Sequence, residues 1–139
     1  MSPDTLFQIC NWGVLPAWAL LIAFPRWKGT GVVVACTTAI AALVYVTLLA
    51  VHWSDLQGGF LSLSGVALLF ENRWALLAGW IHYLALDLLA GAWQSRESQR
   101  LEIPRWRVVP CLILTLLFAP AGLLAFLGVR WTTSRELSV

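Results

Sequence analysis

Four apolar stretches take up most of this 139-residue chain. The first runs from Leu6 to Phe24 and is interrupted only by Asn11 and Pro16. The second, Gly31 to Val51, carries no charge. The third, Trp74 to Trp93, contains His82 and Asp87. The fourth, Val108 to Val129, contains Pro110 and Pro120. Each is about 20 residues long, enough at about 1.5 Å per residue to cross a hydrocarbon core of about 30 Å. In lipid the backbone must satisfy its own hydrogen bonds, so all four are expected as helices. The expected fold is therefore an all-α membrane protein: a single domain over residues 1–139 with four transmembrane helices crossing at about +20°. Pro16, Pro110 and Pro120 are expected to bend the first and fourth spans.

A fifth apolar segment, Phe60 to Phe70, is too short to span. It reads as a short additional helix or a re-entrant segment between helices 2 and 3, with Gly58 and Gly59 ahead of it and Glu71-Asn72-Arg73 behind. Trp12, Trp27, Trp53, Trp74, Trp93, Trp106 and Trp131 fall near the span ends, where an indole suits the interface.

Composition removes the alternatives. The chain is 60% apolar and 12% charged, and one soluble core of this size could not hide so much apolar surface. Disorder needs the opposite balance. A net charge of +2 offers no basic face for nucleic acid. Three scattered cysteines, Cys10, Cys36 and Cys111, do not make a disulfide framework. The first span lacks a basic leader and a small-residue cleavage site, so the chain reads as complete and prokaryotic in style, or as a trimmed form.

Lys and Arg counts set the expected orientation. Arg26 and Lys28 follow span one, and Arg96, Arg100, Arg105 and Arg107 follow span three. Arg73 stands alone between spans two and three, and Arg130 and Arg135 lie in the tail. Both odd-numbered loops are expected in the cytoplasm of a bacterial inner-membrane protein, with both termini outside.

The informative residues are polar ones inside apolar spans. An ionised carboxylate at the centre of a span costs about 2.5–3.5 kcal/mol on insertion scales. Asp87 must therefore be paired, face a wet cavity, or stay neutral, which is the form a general acid needs. Tyr83 precedes it by four residues and shares its face, with Gly79, Trp80 and Gln94 near the same strip. His82 lies about 140° away around the helix and does not bond Asp87 directly. Asn11, Thr37, Thr38 and Thr115 read as interhelical hydrogen-bonding groups. A metal set of His52, His82, Asp87 and Glu71 matches no dedicated spacing, and no metal is expected. No P-loop, GxGxxG, GxSxG or CxxCH is present, so no cofactor is expected.

The stretch FLSLSGVALLFENRWALLAGWIHYLALDLLAGAWQ, Phe60 to Gln94, resembles the abscisic-acid-deficient-4 family of small plant and bacterial membrane proteins. The resemblance extends to NWGVLPAWALLIAFP near the start, IPR at 103–105 and LTLLFAPAGLL at 114–124. Plant members are needed to make neoxanthin from violaxanthin, which opens a 5,6-epoxide on the carotenoid ring and forms an allene. The resemblance implies a role on a carotenoid or other isoprenoid, as a cofactor-free isomerase or as a non-catalytic accessory protein that binds carotenoid or lipid. Epoxide opening needs an acid at the ring oxygen and a base at the adjacent carbon. Asp87 is the expected acid, His82 the base, and Tyr83 the group that orients Asp87. Glu71, Asn72, Arg73, Ser62, Ser64, Trp80 and Asn11 are the expected substrate-binding residues. The expected partners are a lipophilic small molecule and membrane lipid; a second copy of the chain or a partner enzyme stays open.

Overall fold

The computed structural model describes residues 1–134, and every regular element among them is helical. Helix α1 spans Pro3–Gly13, with Ser2 accepting from the Thr5 amide at 3.2 Å to cap it. The chain breaks at Val14 and resumes as α2, Leu15–Ala23, with Pro16 in its first turn. Proline has no N–H to donate and crowds the preceding turn, so the break falls just ahead of it. Helix α3 is Lys28–His52, extended by a single 3₁₀ turn over Trp53–Asp55. A nine-residue helix α4, Leu63–Glu71, starts at Ser62, whose Oγ accepts from the Gly65 amide at 3.0 Å. Helix α5, Arg73–Arg100, is capped by Asn72, whose Oδ1 accepts from the amides of Trp74 (2.8 Å) and Ala75 (3.3 Å). Three of these units are long and apolar enough to cross a membrane: Pro3–Ala23, Lys28–Asp55 and Arg73–Arg100.

Helix α5 is the centre, packed against α1, α2, α3 and α4 and against the helical segment that follows it. It runs parallel to α1–α2: Asp4 pairs with Arg73, Asn11 meets Trp80, Trp18 lies on Gly91 and the Pro25 carbonyl accepts from Gln99. It runs antiparallel to α3, where Tyr45 faces His82 and His52 stacks on Trp74. Burial concentrates along it, in one cluster around Trp18, Leu88, Leu112 and Phe126 and a second around Leu48, Leu77, Ala78 and Ile81.

The fourth apolar stretch is not a spanning helix. It is a hairpin of α6, Arg105–Leu117, and α7, Ala119–Ser134, which turns at Phe118. Arg107 at the start of α6 donates to Thr132 (2.9 Å) and Thr133 (3.2 Å) at the end of α7. Gly122 lies directly on the backbone of Thr115, whereas a straight helix would hold two such positions about 10 Å apart. Pro120 explains the break, as Pro16 does in the first span. Pro110 sits inside α6 without ending it. The two arms measure about 20 and 24 Å, so the tip stops short of crossing a core of about 30 Å. The hairpin is fastened to α5 at its open end. Arg130 pairs with Glu97 at 2.7 Å and lies over the Trp93 ring at 5.9 Å, and Trp93 meets Phe126 edge-on at 5.4 Å.

This overturns the expected fourth span and the expected placement of both termini on one side. The hairpin returns the chain to the rim that carries the α2–α3 and α5–α6 turns, opposite the N-terminus. Arg135, counted with the tail, lies outside the described residues. Among the described residues that rim holds Arg26, Lys28, Arg96, Arg100, Arg105, Arg107 and Arg130 against Glu97 and Glu102. The opposite rim holds Arg73 against Asp4, Asp55 and Glu71. In a cysteine-free background, single cysteines at Glu102 and Thr133 should react with an impermeant maleimide from the same side as one at Arg26. One at Gln57 should react from the other side. Shared labelling of positions 133 and 57 would contradict the hairpin.

Candidate functional site

Helix α5 presents two polar sites on different faces. The first follows from the spacing of Trp80, Tyr83 and Asp87. Trp80 Nε1 donates to Asn11 Oδ1 at 3.3 Å, and its ring lies 5.7 Å from Phe7 and 5.5 Å from Tyr83. The Tyr83 hydroxyl donates to the Leu117 carbonyl at 3.3 Å and also lies beside the Asp87 carboxyl. Asp87 is 6% exposed, and its Oδ2 has no hydrogen-bond partner among the described residues. The hairpin turn therefore brings the last carbonyl of α6 up to the Tyr83–Asp87 pair. Two turns further along α5, the buried Gln94 Nε2 donates to Thr115 Oγ1 at 2.8 Å, and Thr115 in turn donates to the Cys111 carbonyl at 2.8 Å. The two sequence candidates Tyr83 and Asp87 are thus together, with Trp80 and Asn11 in line.

The second site holds His82. A cavity of about 510 Å³ lies between α3, α4, α5 and the 53–60 loop. Tyr45, Trp53, Phe60, Phe70, Gly79 and His82 are on its wall. The Tyr45 and His82 rings are 5.4 Å apart between centroids. The loop runs along the cavity with Gly58 at φ +92°, open to glycine at little cost, and with the Gly59 amide donating to the Gly65 carbonyl at 3.2 Å. Gly79 belongs to this side, where Phe70 covers it, and not to the Asp87 strip. Asp87 is not on the cavity wall, so the structure does not bring His82 and Asp87 to one space.

The remaining sequence candidates, Glu71 apart, have local partners. Ser62 caps α4 and lies 3.2 Å from Ser64 through their hydroxyls. Asn72 caps α5 and reaches the Asp55 carbonyl at 3.4 Å. Arg73 pairs with Asp4. Glu71 is exposed at the end of α4. None of these five lines the His82 cavity. His52 is stacked on Trp74 at 4.5 Å and lies 3.5 Å from Asp55. It is separated from His82 by about 12 Å of α5, taking Trp74 as its level. The residues weighed as a metal set do not converge, and no group of three His, Cys, Asp or Glu suited to a metal lies among the described residues. Tyr45 is the residue sequence reasoning passed over. It lies in an α3 that is apolar on every side, so no periodicity marks its face.

What the cavity offers chemically is a space lined by aromatic rings, with one imidazole and one phenol on its wall. Its volume falls in the range of about 300–1,000 Å³ typical of small-molecule sites. No curated protein and no solved structure matches the chain. A family model described as ABA DEFICIENT 4-like matches residues 5–126. This match covers the helical core except the first two residues of α1 and the end of α7, and the chain belongs to the ABA DEFICIENT 4-like family.

Proposed function

We propose that this protein is an intramembrane isomerase of a ring-bearing isoprenoid of the carotenoid class, with the ring in the His82 cavity. The observation that carries the reading is the pairing of His82 with Tyr45 on one aromatic wall. Opening a ring epoxide to an allene moves one proton from carbon to oxygen. His82 takes the proton from the carbon beside the epoxide as the new double bond forms and the C–O bond breaks. The Tyr45 phenol gives its proton to the departing oxygen, which becomes a hydroxyl. His82 then returns the carbon's proton to Tyr45, and no electrons are gained or lost. The aromatic wall holds the ring and excludes water. The polyene leaves the cavity toward lipid.

A second assignment rests on Asp87, whose buried Oδ2 has no hydrogen-bond partner among the described residues. There the carboxyl is the acid and Tyr83 orients it, with the ring drawn toward the hairpin tip. Asp87→Asn keeps the shape and removes the acid. Loss of conversion with pigment binding retained assigns the acid to Asp87; full conversion assigns it to the His82 cavity. The membrane placement that fits the rim charges is an inner membrane with the N-terminus outside and the basic rim in the cytoplasm.

The test is purified protein in nanodiscs with a 5,6-epoxy carotenoid. A product of unchanged mass and altered absorption supports the isomerase. Bound, unconverted pigment supports the accessory reading instead.

A further inference from the structure

The hairpin gathers basic residues at one rim, and a second cleft lies there. It has a volume of about 270 Å³ and sits between the α2–α3 and α5–α6 turns. Phe24, Pro25, Arg26, Trp27, Gln99 and Arg105 are on its wall. Arg105 Nη2 donates to the carbonyls of Ile22 (2.7 Å) and Ala23 (3.1 Å) at the end of α2. Neither Arg105 nor Arg26 has a carboxylate within ion-pair distance among the described residues. Glu97 on the same rim is committed to Arg100 and Arg130. Helices α3 and α6 both begin beside this cleft, and neither has an acidic residue in its first turn or a side-chain cap. Two guanidinium groups, two uncompensated helix starts and an exposed indole therefore surround one opening on the basic rim.

We propose that this cleft binds the phosphate headgroup of an anionic phospholipid. Arg105, held by α2, presents its remaining N–H groups, and Arg26 closes on the phosphate from the α2–α3 turn. Trp27 lies along the glycerol and ester region, where indoles are favoured. The acyl chains continue down the exposed apolar surface of α3, past Val32. This inference does not depend on the His82 reading.

The test uses detergent-solubilised full-length protein titrated with dioleoylphosphatidylglycerol, dioleoylphosphatidylcholine or inorganic phosphate, and read by native mass spectrometry and thermal unfolding. The phosphatidylglycerol should remain bound and raise the melting midpoint. Arg26→Gln, which removes no hydrogen bond or ion pair among the described residues, should weaken its binding about tenfold or more, and Arg73→Gln on the opposite rim should not change it. Equal binding of phosphatidylcholine, an equal effect of inorganic phosphate alone, or equal loss in the two variants would overturn the site.

Discussion

Gly122→Val is expected to cost about 3 kcal/mol or more and to release the α6–α7 hairpin from α5. A Cβ at position 122 would fall on the Thr115 backbone, which cannot yield as a flexible side-chain tip can. Moving Thr115 also disturbs its buried bonds to Gln94 and to the Cys111 carbonyl. Overpacking alone costs about 1–3 kcal/mol, and each strained hydrogen bond adds about 1 kcal/mol. Alanine already carries the offending atom, so Gly122→Ala should show the same loss in smaller degree. Thermal unfolding in detergent reads the stability. A short bis-maleimide between cysteines placed at Arg107 and Thr133 reads the hairpin, and it should link them in the parent and fail in Gly122→Val. Normal cross-linking and an unchanged midpoint would mean that the two arms do not meet as described.

His82→Phe is expected to lower conversion by about 100-fold or more while leaving the fold and pigment binding in place, since one acid–base group supplies about 10²–10⁴ in rate. His82 is on the accessible side of α5, and its imidazole makes no hydrogen bond among the described residues. A phenyl ring also preserves the contact with Tyr45. Tyr45→Phe should reproduce the loss, because it removes only the phenol hydroxyl. The rates should fall without a matching rise in the substrate concentration for half-saturation, which separates a proton-transfer role from a binding one. Full turnover by either variant would remove that residue from the reaction.

The first three spans were legible because uniform apolar runs of the right length have one solution in lipid. The expected limits shift at the ends, Leu6 to Phe24 being observed as Pro3–Ala23 and Trp74 to Trp93 as Arg73–Arg100. The α4 helix was legible from Phe60–Phe70 being too short to cross, and the Tyr83–Asp87 pair from its four-residue spacing. The hairpin was not. Val108 to Val129 has the length and hydropathy of a spanning helix, and a hairpin with both arms in lipid has the same composition. The discriminating signal was Pro120 with Gly122 two residues on, a stop near a residue small enough for two backbones to touch. Pro110, ten residues earlier, carries the same warning and yet stays inside α6. The cavity was hidden for a different reason. Tyr45 is one aromatic in a helix with no polar face, and only the packing of α3 on α5 decides that it meets His82.

The hairpin also gives the molecule a taper. In the leaflet beside the C-terminal rim, five helical segments displace lipid: those of α2, α3, α5, α6 and α7. The other leaflet holds α1, α3 and α5 with at most the hairpin tip, and α4, only nine residues long, restores part of the width. Each helix occupies a cylinder about 10 Å across, so one leaflet must open wider than the other around the same protein. A flat bilayer has to compress tails on one side to accept such a shape. A bilayer bent so that the broad leaflet lies on the outside accepts it with less strain. The protein should therefore collect where its membrane curves in that sense, a preference set by shape alone.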